Sequence, residues 1–219
     1  MSLSELWSLY GQNYIDALLA TWGMTLESFA IAMVLAVAVT VMRVSPLKPL
    51  RVFGDLYVQV FRNIPGIALL IIVVYALPPL KVVLPYRTCV IVATVLLGSA
   101  FGSENFMSGI NTVGVGQVEA ARSLGMSFNR IIAKIVIPQA LRSSVLPMTN
   151  LFIAVMLTTA LGSQVPLQPQ ELTGVVSYIN TRSLGGVAAF FISALGYLGT
   201  AFVVSHIGNY IDKKVRILR

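Results

Sequence analysis

Ionisable side chains inside long apolar runs are the first candidates for chemistry in this sequence. Glu27, Arg62 and Glu104 each lie within or at the edge of such a run. Charged groups in lipid are costly and usually face a pore or a partner. Glu104 shares a helical face with Ser108 and Asn111, four and seven residues further on. That face predicts either a pore that binds a polar solute or a hydrogen bond between helices, and both alternatives stay open.

Further polar positions extend the set of pore candidates. The fourth apolar run carries Asn150, Thr158 and Gln164, while Arg62 is either an anchor at a helix end or a pore residue. For Glu27 a contact with a neighbouring helix is favoured over ligand binding. The chain has one cysteine and one histidine, so neither a disulfide within the chain nor a Cys or His metal site is expected.

The remaining candidate is a polar, basic insert at about residues 113–137. Its residues 119–123 favour a helix, and Gly125 is expected to end it. A second helical piece is expected over residues 128–136. Pro138 suits a first helical turn and is expected to begin the next span. The simplest interpretation of this insert is an ordinary helical hairpin lying on the membrane surface.

The elements that hold these residues are membrane helices. The sequence is 57% apolar and 11% charged, with a mean hydropathy of +0.85, against about 25% charged residues in soluble domains. About 20 apolar residues span a bilayer as a helix. We therefore predict an all-α protein with a single transmembrane domain over residues 1–219. The predicted spans are residues 17–42, 56–80, 88–111, 141–164 and 183–211.

Two spans carry features that affect packing. In span 2, Pro65 is expected to kink or restart the helix. In span 3, Gly98 and Gly102 are four residues apart, as are Ser99 and Ser103, which lets helix backbones approach closely. Span 4 is expected to be interrupted near Pro147 and Asn150, and a polar segment is expected over residues 165–181.

The basic residues orient the five spans. Eleven lysines and arginines fall on one side and three on the other, with Arg62 near the inner end of span 2. The eleven are at positions 43, 48, 51, 122, 130, 134, 142, 213, 214, 216 and 219, and the three are at 81, 87 and 182. Because basic loops stay in the cytosol, the N-terminus is predicted outside and the C-terminus inside. The same rule explains the net charge of +7 without nucleic acid. Residues 1–12 lack a basic residue, so the first span is expected to be retained rather than cleaved.

The insert also carries a motif. Glu119-Ala120-Ala121, then Gly125, then Ile137-Pro138-Gln139-Ala140 resembles the EAA motif of permease subunits of ABC importers, in spacing and in position after the third span. Residues 61–65 (FRNIP), 108–113 (SGINTV) and 171–173 (ELT) are similar to the polar amino-acid subfamily. The resemblance covers about residues 15–215.

The resemblance implies a type I importer (MetI-like) fold in a bacterial plasma membrane. The expected partners are two cytosolic ATP-binding subunits, a second permease chain and an extracytoplasmic solute-binding protein. The insert would form coupling helices that dock on the ATPase. The residues expected to couple are Glu119, Ala120, Ala121, Arg122, Gly125 and Pro138. The pattern G-x-x-x-x-G-K-[ST] is absent from the sequence, so ATP and Mg²⁺ would be bound by the partner, and this chain is expected to be neither an enzyme nor a cofactor protein.

The expected cargo is a polar amino acid, with glutamate or glutamine favoured. The chain departs from the subfamily at Met156-Leu157 before Thr158-Thr159, where a charged residue is common. The absence of this charged residue favours a heterodimer in which the partner permease contacts the substrate, and a homodimer is the other possibility. A secondary transporter or a channel without ATPase coupling is the alternative. Secondary transporters commonly show internal repeats, and none is visible here.

Overall fold

The chain folds as a bundle of α-helices with no strand among the residues that the computed structural model describes, 2–182 and 186–215. Four of its helices are long and apolar enough to cross a membrane, and one sharply bent helix pair adds a fifth crossing if counted as one span. The all-α membrane fold is therefore confirmed. The helices are α1 Leu3–Arg43, α2 Lys48–Asn63, α3 Gly66–Ile71, α4 Tyr86–Asn111, α5 Val115–Ser123, α6 Phe128–Ile131, α7 Ile137–Ser143, α8 Val145–Thr158, α9 Gly174–Arg182 and α10 Gly186–Val215.

Helix α1 begins well before the predicted first span at residue 17. Ser2 caps it, because its side chain accepts from the Glu5 N–H while Glu5 accepts from the Ser2 N–H. Its 41 residues extend about 60 Å, twice the thickness of a bilayer core of about 30 Å. The additional turns pack outside the main bundle and are described below.

The predicted second span, 56–80, is not one helix. Helices α2 and α3 are bent by 103° at Ile64 and Pro65. Ile64 is extended (ψ 128°) because proline disfavours helical geometry in the residue before it. Helix α2 crosses α1 and α4, and only α3 with its π-helical and 3₁₀ continuations (Ile72–Ala76, Pro78–Leu80) runs along the outer half of α4.

The fourth span also differs from its prediction. Helix breakage occurs at Ser144, rather than at Pro147 or Asn150, and the membrane-crossing stretch is Val145–Gln164. Proline lacks an N–H, so Pro147 leaves the Ser143 carbonyl without its helical partner, and the break at Ser144 falls directly after that carbonyl. The stretch finishes as a 3₁₀ helix, Thr159–Gln164.

Small residues hold the centre of the bundle together, as their spacing predicts. A β-carbon at Gly98 would lie 3.2 Å from Ala32 and 3.1 Å from Val155, and one at Gly102 would lie 2.8 Å from Ala36. Helix α4 therefore contacts α1 on one side and α8 on the other with almost no spare space. Both glycines permit close approach in the way that small residues do in membrane helices.

An outer layer consists of the start of α1, α9 and the start of α10. Its apolar core contains Leu6, Tyr14, Leu172, Val175 and Ile179. The Tyr14 hydroxyl donates to the Ala189 carbonyl (2.9 Å), and the Leu172 N–H donates to the Thr21 hydroxyl (3.1 Å). The segment predicted to be polar, 165–181, thus contributes a packed helix. Residues 183–185, where the fifth span was predicted to begin, lie outside the described residues.

Glu171 is the polar centre of this layer and is fully buried. Its carboxylate accepts from the N–H groups of Thr173 and Gly174 (2.6 Å each) and from the Tyr197 hydroxyl (2.9 Å), so it caps α9 and fastens it to α10. Burial raises the pKa of the Glu171 carboxyl, and the three donors partly oppose that shift. Glu171 belongs to the ELT motif of the sequence, but no structural role was expected for it, and its acidic side chain in an otherwise uncharged segment was a further available signal.

Glu171→Gln should lower the stability of the outer layer by about 1–3 kcal/mol, because an amide group cannot accept all three bonds. A carboxyl whose pKa is raised by folding stabilises the protein fully below its unfolded pKa and loses that contribution as the pH rises through the folded pKa. The wild type should therefore lose stability relative to Glu171→Gln as the pH rises from 4.5, the ordinary carboxyl pKa, toward neutrality. Thermal unfolding of the purified complex across this range measures it, with exposed Asp16→Asn as the control. A difference in melting temperature independent of pH would contradict the assignment.

Candidate functional site

The insert after α4 forms a cytoplasmic hairpin, here defined as α5, the turn and α6 (Val115–Ile131). Gly125 makes the turn in the left-handed region, with φ +75°. The Gly125 N–H donates to the Arg122 carbonyl (2.9 Å) and the Met126 N–H to that of Ala121 (3.1 Å), as in a glycine-terminated helix. No neighbouring atom lies within 4 Å of a β-carbon built at Gly125. Space for a side chain is therefore available, and it is the positive φ angle that requires glycine at this position.

The inner face of the hairpin is apolar and joins it to α4. Ala121, Ile131 and Val136 are buried together, and Ile110 and Val113 from the end of α4 pack against them. Ala121, one of the residues expected to couple, lies in this core, where its small side chain lets α5 approach the helix that follows. The hairpin and the cytoplasmic end of α4 therefore share one core.

The outer face of the hairpin carries the other predicted coupling residues. Glu119, Ala120 and Arg122 are exposed, and Leu124 is 83% exposed at the turn. In the part of the chain that the structure describes, the carboxylate of Glu119 forms no ion pair. An acidic group beside an alanine and an exposed leucine is a suitable surface for a basic and apolar groove of another protein.

Pro138 lies in the first turn of α7, as predicted, but α7 ends at Ser143 and the membrane-crossing stretch begins only at Val145. Helical backbone continues from Phe128 to Ser143, and Pro138 lies in it directly after a π-helical turn, Ile132–Val136. The Ile137 N–H donates to the Ile132 carbonyl, five residues back. This wider turn accommodates a proline ring that would otherwise clash with the preceding turn. The hairpin is consequently joined to α8 through helix, with one break at Ser144.

Two arginines and two carboxylates meet where α1, α2 and α4 cross. Arg43 contacts Asp55 (2.9 Å) and Glu104 (3.2 Å), and Arg62 contacts the same Glu104 oxygen (3.3 Å). Arg43 also donates to the Ser103 hydroxyl (3.2 Å). The Arg43 side chain is only 12% exposed, whereas those of Arg62 and Glu104 are each 40% exposed. Sequence reasoning missed Arg43 and Asp55, since both looked like ordinary charges near a turn.

Glu104 should interact more strongly with Arg43 than with Arg62. A largely buried pair gains more from its charges, and exposed pairs are worth about 0–1 kcal/mol. Double-mutant cycles pairing Glu104→Gln with Arg43→Gln and with Arg62→Gln, read by unfolding of the complex, should give a coupling energy of about 2–3 kcal/mol for Arg43 and below about 1 kcal/mol for Arg62. The reverse order would show that Arg62, and not Arg43, anchors the carboxylate.

A cavity of about 610 Å³ opens beside Arg62 and is here called the Arg62 cavity. Three pore candidates from the sequence line it: Arg62, Thr158 and Gln164. Its other lining residues are Ile64, Gly66, Ile67, Leu97, Phe101, Leu157, Ala160 and Leu161. Residues Leu97 and Phe101 place the cavity on the face of α4 that also carries Glu104. The cavity is a plausible size for a small solute, since ligand pockets occupy about 300–1,000 Å³.

The other three pore candidates, Glu104, Asn111 and Asn150, do not line this cavity. Asn111 is exposed at the end of α4, on the face of Glu104, and Asn150 is exposed on α8 two turns before Thr158. They extend the same polar faces toward the cytoplasm. Glu27 is bound to Arg87 across α1 and α4 (2.7 Å), as the preference for a neighbouring helix predicts. No group of three or more His, Cys, Asp or Glu that could hold a metal occurs within residues 2–182 and 186–215.

Comparison with known proteins identifies the family to which the chain belongs. Residues 28–217 match the family described as binding-protein-dependent transport system inner membrane component. The chain belongs to that family. It is thus an inner-membrane, multi-pass component of an ABC importer, as the motif around Glu119 predicts.

Relatives of this permease are amino-acid permeases. It is 32% identical over 208 residues to the glutamate transport system permease protein GluC of Corynebacterium efficiens, covering 90% of this chain and 91% of that one. It is 30% identical to the L-cystine transport system permease protein TcyB of Bacillus subtilis, covering 95% and 91%. The probable glutamine ABC transporter permease protein GlnM of the same species is also 30% identical, covering 97% and 96%.

Solved structures agree on the fold of the permease. A crystal structure of an amino acid ABC transporter with histidines superposes with a TM-score of 0.92 at 24% identity, covering 98% of this chain and 99% of the other. An inward-facing MetNI methionine ABC transporter superposes at 0.74 with 19% identity, covering 99% and 100%. The MetI-like fold inferred from the motif is therefore confirmed.

Proposed function

We propose that this permease imports a polar amino acid, with glutamate or glutamine favoured, as half of a membrane pore driven by two cytosolic ATP-binding subunits. An extracytoplasmic solute-binding protein delivers the cargo. Support for the substrate class comes from the relatives, which are named for glutamate, cystine and glutamine. Support for the mechanism comes from the geometry of α4.

Helix α4 is the observation that carries the mechanism. Its cytoplasmic end, at Ile110, packs in the core of the hairpin. Its residues Leu97 and Phe101 line the Arg62 cavity, about two and a half to three and a half turns away. A partner that pulls the hairpin through the exposed Glu119 surface therefore moves a wall of the cavity without any intervening flexible loop. The ATPase supplies the force, since the chain has no phosphate-binding loop of its own.

The second permease chain is proposed to be a different protein. The open Arg62 cavity has no lid in the described part of this chain, so a partner must close it in a sealed pore. Met156, at the position where the subfamily commonly carries a charge, is 1% exposed and offers no charge to a solute. A non-identical partner chain then supplies the missing substrate contacts. Native mass spectrometry of complexes expressed from the whole operon distinguishes a heterodimer from a homodimer.

Reconstitution tests the proposed function. Proteoliposomes containing both permease chains and the ATPase should take up labelled glutamate or glutamine only when ATP and the binding protein are both present. Arginine provides the contrast in charge. Uptake that proceeds without ATP but follows an ion gradient would support a secondary transporter, and uptake without either would support a channel. Either result would overturn the proposal.

A further inference from the structure

An apolar groove lies on the side of the bundle opposite the Arg62 cavity. Its volume is about 410 Å³, and it is here called the inner groove. The lining residues are Phe29, Phe106, Leu141, Ser144, Val145, Met148, Thr149, Phe152, Val204, Ile207, Gly208 and Ile211. They come from α1, α4, α7, α8 and α10, so five helices enclose it.

Helical geometry shows that the two cavities lie back to back. On α8, Thr149 lines the inner groove and Thr158 lines the Arg62 cavity. Nine residues at 100° each place these threonines on opposite faces. On α4, Phe106 lines the inner groove and Leu97 lines the Arg62 cavity. They are also nine residues apart and therefore also lie on opposite faces of their helix. Because a second permease chain must close the Arg62 cavity, the inner groove faces away from that chain and toward the bilayer.

The chemistry of the groove suits a hydrocarbon chain. Its two hydroxyls are already satisfied within their own helices, since Ser144 donates to the Ala140 carbonyl (2.7 Å) and Thr149 to that of Val145 (2.9 Å). All the other lining residues have apolar side chains, apart from the glycine. From Leu141 to Phe152 the helices advance about 16 Å, which is close to half of a bilayer core of about 30 Å. The groove is thus as long as one leaflet is thick.

Two basic side chains lie at the cytoplasmic end of the groove. Arg142 follows the lining residue Leu141, and Lys214 lies three residues beyond the lining residue Ile211. Both are exposed, and neither forms an ion pair among residues 2–182 and 186–215. Lys214 packs over the Tyr210 ring, 4.5 Å from its centroid. Basic pockets between membrane helices on the cytoplasmic side attract anionic lipid headgroups.

We propose that the inner groove binds an anionic phospholipid of the cytoplasmic leaflet, with one acyl chain among the five helices and the phosphate between Arg142 and Lys214. This site does not depend on which solute the transporter carries. Gly208 is packed directly against Thr149, so α8 and α10 meet at one wall of the groove, and a bound chain lies over that contact. The lipid therefore joins the two helices on the side of the bundle away from the pore.

Native mass spectrometry of the delipidated, assembled transporter tests the site. Titration with palmitoyl-oleoyl phosphatidylglycerol should show tighter binding of the first lipid than titration with the matching phosphatidylcholine. A cation near a phosphate is worth about fivefold in affinity, so Arg142→Gln with Lys214→Gln should weaken phosphatidylglycerol binding about 25-fold. The control variant, Lys48→Gln with Arg51→Gln, removes equal charge from the cytoplasmic face. It should leave the affinity for the first phosphatidylglycerol unaltered.

A second variant separates the acyl chain from the headgroup. Met148→Trp fills the groove and keeps both cations, so it should weaken phosphatidylglycerol and phosphatidylcholine alike by at least about tenfold. Equal affinity for the two lipids, equal losses in the two charge-removal variants, or unchanged binding in Met148→Trp would each overturn the proposal. Release of the second permease chain by Met148→Trp would instead show that a protein occupies the groove. The orientation of the groove rests on the second permease chain of the proposed function, but uptake activity is not read in this test, so failure of the proposed substrate and failure of the lipid site give different results.

Discussion

Glu119→Lys should abolish ATP-driven uptake and weaken binding of the ATP-binding subunits by at least about 30-fold. The carboxylate is exposed on the cytoplasmic hairpin, and no ion pair holds it within the described chain. If it pairs with a cation of the ATPase, reversing its charge removes that pair and places two positive charges together, which costs about 2–5 kcal/mol. Pull-down of the ATPase with the detergent-solubilised permease complex measures the docking, and proteoliposome uptake measures the transport.

Two controls make the Glu119 result specific. Asp16→Lys changes the net charge by the same two units. Asp16 is an exposed residue of α1 on the other side of the membrane, so this variant should retain docking of the ATPase. Ala121→Leu should also impair coupling, by a different route, since Ala121 is buried under Ile131 and a larger side chain would separate α5 from its support. Docking that survives Glu119→Lys unchanged would contradict the assignment of the hairpin as the coupling element.

Gly102→Leu should destabilise the assembled permease by about 3 kcal/mol, at the upper end of the cost of inserting extra atoms into a packed core. Its first added carbon would lie 2.8 Å from the Ala36 β-carbon and 2.9 Å from the Met33 methyl group. Both neighbours belong to α1, so the two helices would have to separate. Thermal unfolding of the complex, with detergent and lipid held constant, measures the loss.

Gly199→Leu is the matched control for the change at Gly102. No atom lies within 4 Å of a β-carbon built at Gly199, and its helix α10 is also a membrane helix. This variant should cost far less than Gly102→Leu. A compensating pair, Gly102→Ala with Ala36→Gly, moves one methyl group across the interface and should recover most of the loss from Gly102→Ala alone. If the paired variant is as unstable as the single one, close contact at this position does not limit stability.

Local chemistry predicted much of this protein correctly. Composition determined that the chain is a membrane helix bundle, and the distribution of basic residues oriented it. Pro65 and Gly125 predicted a break and a turn, because each restricts or permits backbone angles regardless of the surroundings. The spacing of Gly98 and Gly102 predicted a close helix contact, since a period of four always returns to the same face.

Other features depended on contacts between distant parts of the chain. Arg43 lies about 60 residues before its partner Glu104, and no local pattern could pair them. Residues 120 and 121 are both alanine, but only Ala121 is buried in the same cluster as Ile131 in the folded hairpin. Pro138 lies in the first turn of α7 as expected, but the π-helical turn before it, which joins α7 to α6 without a break, was not expected. Glu171 looked like a loop residue until α9 and α10 enclosed it.

The sequence by itself determined the class of protein, the orientation of its spans and the cytoplasmic hairpin, because each follows from the properties of neighbouring residues. Tertiary structure alone decided which charges neutralise one another and which faces of α4 and α8 line the Arg62 cavity or meet the bilayer. The physical reason is that hydrophobicity and backbone preference act within a few residues, whereas ion pairs and cavities form only where separate helices cross.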